Sequence, residues 1–273
     1  MLFDITQVED GIADTSFHGH LLHFRSVGST NQLAVEAAQA GARTGVWIAD
    51  EQTAGRGRGD HTWHSAAGDG LYVSILVTPQ IPLERARNIP LAAGLAVQAA
   101  VVNCTGLVLD LKWPNDLMIG NKKCGGILVE SASEPAPPEW QSSIGPALRY
   151  AVIGIGLNLN HATFPRELSA IATSLFIESD RRFEREPLLT ALLCYLDEEM
   201  KELRKSRRGT TNEPDLIRRV QEASTWVYGK RVRVEEQGGY TGVTRGLDPN
   251  GFLLVLDDEG KLRTVLSGGV RPA

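Results

Sequence analysis

The chain has 273 residues, 42% of them apolar and 22% charged, and carries a formal charge of −5 at pH 7. That length suits one large domain or a large and a small one, and the composition excludes a disordered or low-complexity chain. An acidic balance offers no general attraction to phosphate backbones or anionic lipid, so neither nucleic acid nor a membrane is expected as a partner.

Cys104, Cys124 and Cys194 stand far apart with no C-x-x-C pair, which speaks against a zinc or redox motif and for a reducing cytoplasm. The first twenty residues lack the apolar core of a signal peptide, and no stretch approaches the roughly 18 apolar residues of a membrane span. A cytoplasmic protein is expected.

Residues 20–25 (HLLHFR) read as a first strand. Ser29 and Gln32 have the S-x-x-Q form of a capping box before an apolar-periodic run, and Gly41 stands just past its end, so a capped helix follows. Residues 45–50 (GVWIAD) and 71–78 (LYVSILVT) are the next strands, joined by a glycine- and arginine-rich stretch that cannot be regular structure. The Ala-, Leu- and Val-rich residues 83–103 predict a buried helix with Pro90 as its start or a kink. Further strands are expected at 107–112, 126–131 and 150–158, with a Pro-rich loop over 134–146 between the last two. Helical spacing returns at 187–206 and 214–226. From Gly229 onward short strands (RVRVEE, YTGVTRGL, FLLVL, KLRTVL) alternate with turns such as Gln237-Gly238-Gly239, which predicts a small β-barrel or sandwich. The fold class is α+β: a mixed sheet flanked by helices over residues 1–226, then a small all-β domain over 227–273.

Three segments carry candidate chemistry. In Gln52-Thr53-Ala54-Gly55-Arg56-Gly57-Arg58-Gly59-Asp60-His61-Thr62-Trp63, glycines let backbone N–H groups approach an anion and the arginines add permanent cations. A solvated loop without a ligand accounts for that segment alone equally well. Lys112-Trp113-Pro114-Asn115-Asp116 followed by Lys122-Lys123-Cys124-Gly125-Gly126 places an amide, a carboxylate and lysines near one end of a sheet, with corner packing and a solvated turn as the alternative. Gly154-Ile155-Gly156-Leu157-Asn158 puts small residues in a strand, which suits close approach of a ligand or another backbone, or a plain bulge.

Taken together, in this order and at these separations, S-T-N-Q, Q-T-A-G-R-G-R-x-x-x-x-W, K-W-P-N-D, K-C-G-G-I-L-V-E and G-I-G-L-N resemble the biotin–protein ligase family over almost the whole chain. The resemblance implies a class II synthetase-like catalytic domain ending in an SH3-like barrel. It implies ATP and biotin as substrates, with Mg²⁺, and as acceptor a lysine of a biotin carboxyl carrier protein or domain; it also allows a homodimer. The implied biotin contacts are Ser29, Thr30, Asn31, Gln52, Arg56, Gly57, Arg58 and Lys123, with Arg56, Arg58 and Lys123 as the catalytic cations. Trp63 is placed against the adenine, and Asn115 and Asn158 on the nucleotide, while Lys112 and Asp116 support the site.

Two departures stand out. Asp60 and His61 replace a Gly-Arg pair common in the family, and the C-terminal Gly268-Gly269-Val270-Arg271-Pro272-Ala273 differs from its G-E-V-x-x-R-like ending, so Arg271 is given no nucleotide role. Ser29 comes too early for a preceding helix-turn-helix, and no direct DNA binding is expected. His18, His20, His23, His61 and His64 lack carboxylate or cysteine company at ligand spacing, so no protein-held metal site is expected. A lipoate ligase, a non-catalytic biotin or nucleotide sensor and a P-loop NTPase are the rivals. The chain has neither an R-R-x-S-G-G-G-A segment nor a G-x-x-x-x-G-K-[ST] segment.

Overall fold

The computed structural model describes residues 3–59, 61–138, 140, 145–205, 213–236, 238–267 and 269–273. Asp60, Gln237, Gly268, Ser206 and the middle of the Pro-rich loop, all raised above, lie outside the described residues.

Helix α1 (Ile5–Gly11) opens the chain, its N-cap Asp4 accepting from the amides of Thr6 and Gln7. A seven-residue helix with one buried residue has too short an apolar period to be read in advance. Then come β1 (Leu21–Phe24), α2 (Thr30–Gln39), β2 (Gly45–Ala49) and β3 (Gly70–Val77). Ser29 caps α2 through the Gln32 amide at 3.4 Å, but the reciprocal half of the box is not formed, because Gln32 Nε2 donates to Glu36 at 2.7 Å.

Residues Leu83–Asn88 form a 3₁₀ turn, and Pro90 falls in the first turn of α3 (Ile89–Thr105), where its missing N–H has no helical partner to lose. Contrary to the sequence reading, residues 83–105 are long and apolar enough to cross a membrane by length and composition alone. In the fold they form a core helix packed on α5 and the sheet. Strands β4 (Asp110–Lys112), β5 (Asp116–Ile119), β6 (Lys122–Glu134) and β7 (Ala147–Asn158) follow, the first two on either side of the cis Trp113–Pro114 corner. The short β5 was not foreseen, and β6 begins four residues earlier than expected because the lysines pair as strand rather than turn. Helices α4 (Leu175–Ser179), α5 (Arg185–Lys205) and α6 (Glu213–Glu222) precede β8 (Tyr228–Val234), β9 (Tyr240–Leu247), β10 (Leu253–Asp257), β11 (Leu262–Val265) and β12 (Val270–Pro272).

The first sheet has the order β1-β2-β3-β7-β6-β5-β4, with β1 and β2 parallel and the other pairs antiparallel. The second is antiparallel, β11-β10-β9-β8-β12. Alternation along the central strands decides where a ligand could sit. Val73, Ile75, Ile153 and Ile155 face the α3–α5 side and join the main core, whereas Leu76, Tyr150 and Val152 face α2 and pack with Ala34, Ala38 and Trp47. Farther along that second face, past the N-terminus of α2, the positions are Ser74, Gly154, Gly156 and Gly126, and the apolar cover gives way to a cavity.

The second sheet is tied to the first through specific polar contacts. Trp113 Nε1 donates to Gly251 O at 2.9 Å, Arg87 donates to Asn250 O and Oδ1 at 2.8 and 2.7 Å, and Gln221 Oε1 accepts from Leu247 N at 2.8 Å. These contacts bring β12 and the residue after β8 to the mouth of the cavity, where Glu235, Gly269, Val270 and Arg271 line it.

Candidate active site

The cavity has a volume of about 610 Å³. Its polar floor is built by the first turn of α2 lying on β3. Thr30 Oγ1 and Ser74 Oγ are 2.8 Å apart, Ser74 Oγ donates to Asn31 Oδ1 at 3.0 Å, and all three residues are buried. Gln52 Oε1 accepts from Thr30 N and Oγ1 at 3.0 and 3.1 Å, while its Nε2 donates to Ser65 Oγ at 2.9 Å. One side chain thus connects the start of α2 to both legs of the glycine–arginine loop. Ser74 was missed from sequence; its signal is a lone serine in the otherwise aromatic and aliphatic LYVSILV, whose small hydroxyl side chain must find a partner when buried.

The loop folds back on itself as a small hairpin. Gly57 N donates to His61 O at 2.7 Å, Trp63 N to Gly55 O at 2.9 Å, and Arg56 bridges Thr62. Gly59, at φ +63°, is a left-handed residue at its tip. These glycines therefore serve the loop's own turn and close packing, in addition to any approach to an anion. At the loop's neck, Gly68 N donates to Asp50 O at 2.9 Å, and Asp50's carboxylate accepts from Arg185 at 2.6 Å and His23 at 2.9 Å. Burial works against the Asp50 charge, but these hydrogen bonds and the two partners' charges outweigh it and hold the carboxyl below its usual range.

Trp63 returns from the loop onto bare backbone. A Cβ on Gly156 would collide with the indole Nε1, and one on Gly126 would lie 3.4 Å from the ring. The indole Nε1 is buried without a hydrogen-bond partner, as a group awaiting an acceptor would be. Gly154 gives the Asn31 carboxamide the same clearance. The two glycines of G-x-G are thus seats for named side chains.

The cations differ in what they already hold. Lys123 Nζ pairs with Asp116 and lies 5.5 Å from the Trp63 ring centroid, and Lys112 Nζ is 3.6 Å from the same carboxylate. Arg56 makes a bidentate pair with Glu130 at 3.1 and 3.2 Å. The exposed Arg58 guanidinium makes no ion pair among the described residues. Its field reaches Glu236: burial opposes ionisation there, but hydrogen bonds from Ser267 and Leu266 together with Arg58 hold the carboxyl below its usual range. Among the described residues, Arg58 is therefore the loop cation that an incoming anion meets without a direct ion-pair partner.

Of the eleven residues singled out in the sequence, ten line this one cavity: Ser29, Thr30, Asn31, Gln52, Arg56, Gly57, Arg58, Trp63, Asn115 and Lys123. Asn158 does not and is withdrawn. By alternation it faces the same side as Gly156, but the segment through Ile171 and Thr173 crosses that end of the strand beside Lys123, and Asn158 Nδ2 donates to Thr173 O at 2.9 Å. Asn115 Nδ2 donates to Ile127 O at 2.7 Å, so its free edge is the amide oxygen. Arg271, given no role above, lines the mouth and pairs with Glu235 at 3.1 Å. His61 lines the cavity too, while His23 is hydrogen-bonded to Asp50 at 2.9 Å. Cys124 beside Lys123 is no nucleophile, since burial, and then the Glu178 charge, push its thiol up.

A polar floor, a tryptophan on a glycine platform and, on the loop, an arginine without an ion pair among the described residues suit a small polar ligand together with a nucleotide. Residues 24–137 match the biotin/lipoate A/B protein ligase family, and residues 227–270 match the biotin protein ligase C-terminal domain. The chain is 32% identical over 259 residues to the bifunctional ligase/repressor BirA of Bacillus spizizenii, covering 93% of this chain and 75% of that protein. It is 32% identical over 251 residues to the biotin–[acetyl-CoA-carboxylase] ligase of Mycobacterium tuberculosis, covering 89% and 85%. Among solved structures, the biotin protein ligase from Aquifex aeolicus in complex with biotin and ATP has a TM-score of 0.75 at 27% identity, covering 93% of this chain and all 100% of that one. With both parts of the chain matched and the cavity built from the same segments that carry the motifs, this protein belongs to the biotin protein ligase family of enzymes.

Proposed function

We propose that the chain activates biotin with ATP to biotinyl-5′-AMP and transfers the biotinyl group to a lysine of a carboxylase's biotin carrier domain. The observation that carries this reading is the convergence of ten motif residues from four chain segments on one cavity.

Two anions must meet, the biotin carboxylate and the ATP α-phosphate, and they approach only where positive charge offsets both. Arg58 supplies charge without an ion-pair partner among the described residues, and Lys123 a lysine already oriented by Asp116. A carboxylate oxygen forms a bond to the α-phosphorus as the bond to the β-phosphate breaks, and pyrophosphate leaves. Ser29, Thr30, Asn31 and Gln52 hold biotin through the polar floor, fixing its carboxylate relative to the nucleotide. Trp63 and the free carboxamide oxygen of Asn115 seat the adenine. The loop over the cavity excludes water from the anhydride. In the second step the neutral acceptor amine attacks the biotinyl carbonyl carbon, the bond to AMP breaks, AMP leaves, and the amine proton passes to solvent.

The donor set suits a Mg²⁺ that arrives with the nucleotide rather than a protein-held one. Among the described residues no three His, Cys, Asp or Glu side chains converge, and Asp116 is the carboxylate on the first sheet's wall. The nucleotide's phosphates would hold the ion, whose charge would offset theirs, while Asp116 stays paired with Lys112 and Lys123. The same reading divides the chain after residue 226 and takes the five-stranded sheet as an SH3-like barrel. Three free thiols agree with a cytoplasmic enzyme.

The test is biotin-dependent pyrophosphate release from ATP by the full chain and by Arg58→Ala. Release by the wild type, with slower activation or loss of biotinyl-AMP to solution in the variant, is expected. A chain that binds biotin yet releases no pyrophosphate is a sensor, and the proposal fails.

A further inference from the structure

Glu130, near the middle of β6, does not itself line the cavity, yet it holds two residues that do, one in the floor and one in the loop. Its carboxylate takes Asn31 Nδ2 from α2 and both Nη atoms of Arg56 from the loop. The inner part of the loop otherwise bonds mainly to itself, through Gly57 to His61, Gly55 to Trp63 and Arg56 to Thr62. It meets the sheet through the Trp63 ring on Gly126 and Gly156, through Lys123 over that ring, and through the Arg56–Glu130 pair. Of these, the bidentate pair is the one fixed in direction by charge-assisted hydrogen bonds.

We infer that Glu130 is a positioning residue, the latch that holds the glycine–arginine loop shut over the cavity by gripping Arg56, and that it sets how long the activated intermediate is retained. Three features support this role. The pair bridges the loop to a strand inside the sheet, so breaking it from the Arg56 side frees the loop and leaves the Asn31–Glu130 contact in the floor in place. Its members are 45% and 30% exposed, so water competes for both and the latch opens readily, as repeated entry and exit require. The same carboxylate holds Asn31, so closure of the loop and the shape of the floor share one atom set. A consequence for the chemistry is that Arg56 serves closure, and Arg58 is left to meet the reacting anions.

The retention part rests on the proposed biotin activation, so the test has one readout that does not. Trypsin cleavage after Arg58 in the full chain reports loop opening without any ligand. Glu130→Gln, which keeps the shape and removes the charge, should be cut about two- to fivefold faster than wild type, the factor an exposed ion pair of this kind supports. Its Tm should stay within a few degrees of wild type. In Arg56→Gln the rate should rise equally, and the double variant should be no faster than either single one, because both remove the same contact. With ATP and biotin but no acceptor, turnover is limited by loss of the adenylate, so Glu130→Gln should release pyrophosphate faster than wild type by a similar factor, whereas mere damage to the site would slow it. Unchanged cleavage in Glu130→Gln, multiplied rates in the double variant, or slower pyrophosphate release each overturns the latch. Absence of pyrophosphate release from the wild type itself removes the proposed activity instead, and leaves the cleavage result to decide the latch.

Discussion

The floor of the cavity and the loop above it are both polar, but they are held by opposite means. On the floor, Thr30 and Asn31 of α2 are buried and hydrogen-bonded to the buried Ser74, which sits on a strand paired on both sides through its main chain. On the loop, Arg56 and Arg58 are exposed, and contact with the body is made through an ion pair and a tryptophan. A buried hydrogen bond left half-made costs about 1–3 kcal/mol, whereas an exposed ion pair is worth about 1 kcal/mol or less. The floor is therefore set before any ligand arrives, and the loop is free to open and close at little cost. An enzyme that must bind a small acid and then shield a labile anhydride needs both properties, in two different places.

The largest effect should come from filling the platform. Gly156→Val would drive a side chain into the Trp63 indole, and overpacking of this kind costs about 1–3 kcal/mol. A lower Tm together with roughly tenfold or greater loss of ATP affinity by calorimetry is expected. Undiminished ATP affinity would separate Trp63 from the nucleotide. Next, Ser74→Ala leaves Thr30 and Asn31 short of a shared partner; at about 1–3 kcal/mol the biotin Kd should rise some five- to hundredfold with little change for ATP. If both ligands weakened equally, the floor would not be selective for biotin. By contrast Arg58→Ala, at an exposed site without an ion pair among the described residues, should leave stability within about 0.5 kcal/mol in urea denaturation while impairing activation. A large stability loss would mean that the loop is part of the folded framework.

The smallest effect is a pH slope behind the loop. His161, stacked on Phe164 at 5.0 Å and 3.3 Å from the Tyr72 hydroxyl, has its pKa lowered, chiefly by burial, with nearby His64 adding to this and Asp69 opposing it. The unfolded chain takes up this proton near pH 6.5 and the fold resists it, so the contribution is complete above about that pH and is lost as pH falls toward the folded value. His161→Gln should flatten the decline in Tm between about pH 7 and pH 5. An unaltered slope would assign that decline to other groups.

The long periodic elements, the order of the motifs and the ten motif residues that line the cavity could all be picked out along the linear chain, because each rests on local chemistry. Glycine beside arginine, a Ser cap before an apolar run and alternation in a strand carry their meaning within a few residues. What could not be read depends on pairings across long separations. Asn158 matched a motif, but a segment about fifteen residues on took its side chain. Ser74 and Glu130 lie in strands whose local pattern says only that they are strands, and their roles arise from α2 and the loop, 43 and 74 residues away. Arg271 and Glu235 reach the cavity only because the second sheet docks through Trp113, Arg87 and Gln221.

By itself, the amino-acid sequence determined which residues could bind anions, which long segments are strands or helices, and to which family the pattern belongs, since those follow from side-chain chemistry and short-range periodicity. Only the tertiary structure decided which charges are already neutralised and which remain available. An arginine looks the same along the chain whether it meets a carboxylate or open water, and the difference is set by what folding brings within about 3 Å of it.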